Sequence, residues 1–185
     1  MTTAPFWALI ATLSIVWFLM LLVQAGTTDQ ALLSRMYAGD HPGLVTLARR
    51  ITHLGSWRVL YPVLGFAAVW FLFQKRVRAA CLVLAIPVSG RWLVLFQKHE
   101  FGLMRPPREL QLVQIQGLAF PSGHTASATM AYLSSALLFT GAGQFFVVGC
   151  SRIMLGAHWP ADVVGGWACG AWTLAWLRLA EINHR

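Results

Sequence analysis

Apolar positions gather into runs long enough for a bilayer, separated by short polar stretches. A spanning helix needs about 20 mostly apolar residues. The first run, residues 6–23, is interrupted only by Thr12 and Ser14. No Lys or Arg precedes it and the run is long for a leader's core, so it reads as a first span rather than a signal peptide. In residues 26–56, Asp29, Arg35, Asp40, His41, Arg49 and Arg50 break the apolar pattern. Leu44, Leu47, Ala48, Ile51 and Leu54 still recur at helical spacing, with Arg49, Arg50 and His53 between them. That fits an amphipathic helix on the membrane surface, with a polar loop as the alternative. Residues 57–73 read as a second span, and Lys75, Arg76 and Arg78 as a tight basic turn. A third span covers 79–97, where Pro87 is expected to cause a kink. Residues 98–122, with Pro106, Pro107 and Pro121, read as a loop. A fourth span runs from about 123 to 139, Gly141-Ala142-Gly143 is a turn, a fifth span starts near Gln144, and a sixth covers about 161–179. Gly166 and Gly170 form a small-xxx-small pair suited to close helix packing. The expectation is an all-α, polytopic membrane protein: a six-transmembrane-helix bundle in one domain, 1–185, with an interfacial helix between the first two spans.

Composition agrees. The 185 residues are 57% hydrophobic and 11% charged, with 9 Trp and 11 Phe, and the mean hydropathy is +0.62. Ordinary soluble domains are about 45–50% apolar and about 25% charged, so a soluble globule and a disordered chain are both excluded. Fourteen basic against six acidic residues leave a net charge of +8. A chain this apolar has no extended basic face for nucleic acid, so the charge points to lipid headgroups, cytoplasmic loops or an anionic substrate. Cys81, Cys150 and Cys169 lack metal or redox spacing and read as small buried hydrophobes. With six spans the basic turn at 75–78, Arg178 and Arg185 share one side, which the positive-inside tendency makes the cytoplasm. Arg35, Arg49, Arg50 and Arg58 fall opposite.

Charges at membrane depth are costly and usually functional. If alternate spans reverse, they meet on one outward face: Lys98, Arg105, the segment Phe120-Pro121-Ser122-Gly123-His124, Ser151-Arg152, and His158-Trp159-Pro160-Ala161-Asp162. Lys98, Arg105 and Arg152 suit a phosphate, the arginines offering forked donors. Ser122 as a helix cap leaves the Gly123 and His124 amides free for an anion. Asp162 can accept from one His158 nitrogen, leaving the other as a nucleophile, and His124 remains as a general acid. Arg91 lies two helical turns before Lys98, roughly on the same face. It either pairs with backbone carbonyls or Glu100, or makes a second phosphate contact. Gln144 to Arg152 spans about 14 Å of helix, less than the roughly 30 Å hydrocarbon core. If 141–143 turns at the cytoplasmic interface, the pocket is sunk among the third to sixth helices and open to lipid from the side.

Lys98-x6-Arg105-Pro106, then Pro121-Ser122-Gly123-His124, then Ser151-Arg152-x5-His158-x3-Asp162 resembles the three-part signature of the type 2 phosphatidic acid phosphatase superfamily. The motifs cover residues 98–166. The resemblance implies that His158 becomes phosphorylated, that Asp162 is its partner, and that His124 protonates the leaving group. It implies a phosphate cradle of Lys98, Arg105, Ser122, Gly123 and Arg152, and catalysis without a metal or other cofactor. It implies an integral lipid phosphatase of the bacterial cytoplasmic membrane, both termini cytoplasmic and the site facing outward, with no nucleic acid and no obligatory protein partner. Among substrates undecaprenyl diphosphate is favoured. Phosphatidylglycerophosphate, phosphatidic acid, lipid A, phosphotransfer to another lipid, or a non-catalytic lipid-binding scaffold are the rivals.

Overall fold

The computed structural model describes the backbone of residues 4–135 and 143–183 and the side chains within those ranges up to 175. Its elements are α1 (Ala4–Val23), α2 (Thr27–Met36), α3 (Pro42–His53), α4 (Trp57–Phe73), α5 (Val77–Phe101), a 3-10 turn at Arg108–Leu110, α6 (Gly123–Ser135), α7 (Gln144–Met154) and α8 (Pro160–Asn183). The expected boundaries of the first two spans, the α6 start at Gly123 and the α7 start at Gln144 agree with this order. The third apolar helix is longer than 79–97: Arg78 lies in its first turn rather than in a turn before it. Lys98 falls within its last turn, and Gly102, at φ 59°, ends it in the left-handed conformation that glycine tolerates.

Among the described residues, α1 and α5 are long and apolar enough to cross a membrane. α3 and α4 form a third, bent pair, their axes 41° apart across a short break. The 11-residue α7 covers about half a bilayer at roughly 1.5 Å per residue. The ends of the expected fourth span (136–139) and most of the 141–143 turn lie outside the described residues, as do the side chains of Arg178 and Arg185. α3 packs on α7 and buries Ala48 and Thr52 there. Leu44 and Leu47 of the same helix stay exposed, so its outward face is partly apolar.

α1 lies along α8, and α8 along α6. Gly166 and Gly170 explain the second contact: a Cβ on Gly166 would stand 2.9 Å from the Ser122 carbonyl oxygen, and one on Gly170 would stand 2.6 Å from Thr129 Cβ. Hydrogen at these positions lets α8 approach the start of α6, which brings the two motif-bearing helix ends together. The cysteine expectation needs correction. Cys169 is buried, but Cys150 is half-buried and Cys81 is exposed. In a membrane bundle an apolar run does not imply burial, because its outer side faces lipid instead of water.

Candidate active site

The last turn of α5, the 102–122 loop, the first turn of α6, the last turn of α7 and the loop before α8 converge on one cavity of about 530 Å³. Lys98, Arg105, Gly123, His124, Arg152 and His158 line it, together with Arg91. The structure thus gathers every cation and both histidines that the sequence singled out. Ser122 and Asp162 are fully buried behind this wall. The Ser122 amide donates to the Asp162 carbonyl at 2.9 Å, and its hydroxyl accepts from Thr125 Oγ1 at 2.9 Å. The first amides of α6 have no intrahelical acceptor, and Gly123 and His124 carry two of them beside the cations.

Asp162 Oδ2 accepts from the Trp159 amide at 2.9 Å and lies 3.1 Å from His158 Nδ1. Arg105 Nη1 lies 2.8 Å from His158 Nε2. A guanidinium has only donors, so Nε2 presents its lone pair to Arg105 and Nδ1 carries the proton toward Asp162. The network therefore assigns the tautomer with a nucleophilic Nε2. Burial first, and then the charges of Arg105, Arg152 and Lys98, push His158 well below the usual imidazole range, so the ring is neutral. Arg105 occupies the lone pair that an incoming phosphorus needs. A phosphate oxygen, a stronger acceptor for a guanidinium, can draw Arg105 away and expose Nε2.

Backbone carbonyls hold the cations in position. Lys98 Nζ donates to Leu118 and Ala119 oxygens at 2.6 and 2.8 Å. Arg105 also donates to the Gly117 and Ala157 oxygens, both at 2.8 Å. Arg152 donates from Nη1 to Thr52 Oγ1 at 2.9 Å, while its buried Nε has no hydrogen-bond partner.

Two contributors escaped the sequence reading. Thr52, buried on α3, reaches Arg152 from a segment outside the motifs. Asp29 on α2 is buried and accepts from the Ala25 amide at 2.9 Å and from the Ala161 amide at 2.8 Å. It thereby ties α2 to the α8 start that carries Asp162. Burial pushes its carboxyl above the ordinary value, against those two amide bonds. Nothing in the local sequence marks either residue, since a Thr in an amphipathic helix and an Asp in a polar stretch both read as surface.

Away from the cations the cavity turns apolar. Trp57, Leu60, Tyr61 and Leu64 of α4 face Pro87, Val88, Trp92 and Leu95 of α5. Several of these are exposed on the outside of the bundle, with Trp57 at 60%, Tyr61 at 53% and Trp92 at 70%. The cavity is thus lined by two cationic-to-apolar halves, the apolar half running between α4 and α5. Among the described residues no three His, Cys, Asp or Glu side chains cluster as metal ligands would.

Fold and cavity together define an all-helical membrane protein with a histidine-bearing, cation-lined anion pocket. The PAP2 superfamily matches residues 77–184, more than half of the chain, and the chain belongs to that superfamily. It is 28% identical over 160 residues to phosphatidylglycerophosphatase B of Bacillus subtilis, covering 78% of each chain. It is 31% identical over 141 residues to an undecaprenyl-diphosphatase of Sulfolobus acidocaldarius, covering 70% of this chain and 68% of that one. The fold superposes on the crystal structure of a transmembrane PAP2 type phosphatidylglycerolphosphate phosphatase from Bacillus subtilis with a TM-score of 0.79 at 22% identity, covering 95% and 96% of the two chains. Membership makes the chain a membrane phosphatase of the lipid-related PAP2 type.

Proposed function

We propose that the protein is a metal-independent lipid phosphatase that hydrolyses the terminal phosphate of a membrane lipid, most readily undecaprenyl diphosphate, through a phosphohistidine on His158. One observation carries this reading: His158 Nε2, its tautomer set by Asp162, faces a cation-lined cavity whose other half is apolar. A substrate with an anionic head and a hydrocarbon tail matches both halves. The likeness to the undecaprenyl-diphosphatase supports the choice of lipid, and the likeness to phosphatidylglycerophosphatase B names its main rival.

In the proposed sequence the substrate phosphate displaces Arg105 from Nε2, and Lys98, Arg105, Arg152 and the Gly123 and His124 amides hold its oxygens. Nε2 attacks phosphorus, the bond to the leaving oxygen breaks, and that oxygen takes the electron pair and a proton from His124. Asp162 stabilises the ring's Nδ1–H as positive charge develops. Water, deprotonated by His124, then attacks the phosphohistidine and releases inorganic phosphate. Positioning and fixed charge supply most of the acceleration in phosphoryl transfer. Ser122 acts from behind the wall, fixing the α6 start against Asp162.

The reading also takes 1–185 as one domain of six spans in the bacterial cytoplasmic membrane, α3 at the interface, both termini cytoplasmic and the cavity on the outer side. Lipid reaches the sunken site laterally, keeping its tail in hydrocarbon. Detergent-purified protein assayed against undecaprenyl diphosphate, phosphatidylglycerophosphate, phosphatidic acid and lipid A tests it. Phosphate release, greatest with undecaprenyl diphosphate and lost in His158→Ala, is the expected result. No release from any of the four overturns the enzyme reading, and another lipid leading the panel overturns the substrate.

A further inference from the structure

Arg91 lines the cavity that holds Lys98, Arg105, Arg152 and His158, yet no partner fixes it among the described residues. It lies ten residues, about 15 Å of helix, before the end of α5, and it is exposed rather than packed into the bundle. Glu100, one candidate partner, instead sits 3.5 Å from His99, and Arg91 makes no hydrogen bond or ion pair among the described residues. The other three cavity cations differ. Lys98 is fixed by two carbonyls, Arg105 by carbonyls and His158, and Arg152 by Thr52. An exposed guanidinium with its five donors uncommitted is available to an anionic ligand, and this one lines the cavity.

Its place along α5 says which anion it suits. The α5 residues lining the cavity run Pro87, Val88, Arg91, Trp92, Leu95, Lys98. Arg91 therefore stands between the cluster around His158 and the deepest apolar lining, on the path from reacting phosphate to tail. A prenyl monophosphate or phosphatidic acid has only an uncharged ester portion there, and phosphatidylglycerophosphate carries its second phosphate a whole glycerol further on. A diphosphate lipid has a second, permanently anionic phosphate next in line.

The geometry points to Arg91 as the subsite for the lipid-attached phosphate of a diphosphate substrate. This rests on the lipid-phosphatase reading and deepens it. When His158 Nε2 bonds to the terminal phosphorus, the bond from that phosphorus to the bridging oxygen breaks and the electron pair stays on the bridging oxygen. That oxygen takes the proton from His124, and the leaving group is a lipid monophosphate whose remaining negative charge lies beside Arg91. A forked donor there binds the substrate and also stabilises the departing group, so both KM and kcat respond.

The test compares a diphosphate and a monophosphate of one prenyl chain in wild type, Arg91→Gln and Arg91→Lys. Arg91→Gln is expected to lower the ratio of kcat/KM for diphosphate over monophosphate tenfold or more, and Arg91→Lys, which keeps charge without the fork, less. An unchanged ratio, or equal losses on both substrates, overturns the subsite. A separate binding arm titrates the detergent-purified proteins with inorganic pyrophosphate and with inorganic phosphate. Pyrophosphate should bind more tightly than phosphate to wild type, and Arg91→Gln should abolish the preference. If wild type hydrolyses neither lipid, the hydrolase reading fails by itself, and this arm still decides the subsite: equal binding of the two anions overturns it.

Discussion

Replacing Thr52 with Val removes one hydroxyl and almost no volume. The loss falls on a single described contact, the 2.9 Å bond from Arg152 Nη1 to Thr52 Oγ1, between two buried side chains. A hydrogen bond to a charged group contributes about 1.5–3 kcal/mol. With each 1.4 kcal/mol equal to a factor of ten, kcat/KM should fall about ten- to a hundred-fold if the bond is what aims the arginine. The guanidinium would keep its charge and lose its fixed orientation, so the defect should lie in kcat more than in KM. Thr52→Ser retains the oxygen and should recover most of the rate. The assay is phosphate release under saturating and subsaturating lipid, with thermal unfolding in detergent recorded in parallel. Wild-type kcat/KM in Thr52→Val would refute the positioning role. So would equal damage in Thr52→Val and Thr52→Ser, which would show that α3 packing, and not the hydroxyl, matters.

Further outcomes follow from the site and from the α6–α8 contact. His158 is held neutral below its usual 6.5, so a rate that needs its free Nε2 should persist as pH falls through 6.5 and fail only lower. Arg105→Gln removes one cause of that depression and should move the acid limb of its residual kcat/KM upward, and an unmoved limb refutes the assignment. Because the folded ring resists a proton that the unfolded chain accepts, stability should decline as pH drops below about 6.5. Gly170→Ala places a methyl 2.6 Å from Thr129 Cβ and 2.9 Å from the Ala126 carbonyl oxygen, which should cost about 1–3 kcal/mol of stability as overpacking does; an unchanged melting temperature would contradict the close α6–α8 contact. Activity should survive excess EDTA, and a loss restored by Mg²⁺ would contradict the metal-independent mechanism.

The motif-bearing half of the molecule was legible because its chemistry is local. Pro121-Ser122-Gly123-His124 announces a helix start, Pro160 sits at the first position of α8, and Asp162 falls one helical turn after His158. The Gly166/Gly170 spacing likewise announced its contact. Thr52 and Asp29 were not legible, because their roles depend on tertiary placement: α3 and α2 deliver them to a site whose motifs begin at residue 98. Cys81 and Cys150 misled for a related reason, since periodicity cannot tell a lipid-facing side from a buried one. The sequence left both readings of Arg91 open, because whether Glu100 reaches it depends on side-chain placement; in the structure Glu100 lies 3.5 Å from His99.

The central claim is that His158 forms a covalent bond to the substrate's phosphorus. The direct measurement is rapid acid- and base-quench of purified protein mixed with terminally ³²P-labelled undecaprenyl diphosphate. The account predicts a transient phosphoprotein that is stable to base and labile to acid, as a phosphohistidine is, present in wild type and absent in His158→Ala. It also predicts that labelled phosphate appears no faster than this species decays. Steady turnover with no labelled protein at any time, or label retained in His158→Ala, would contradict the account.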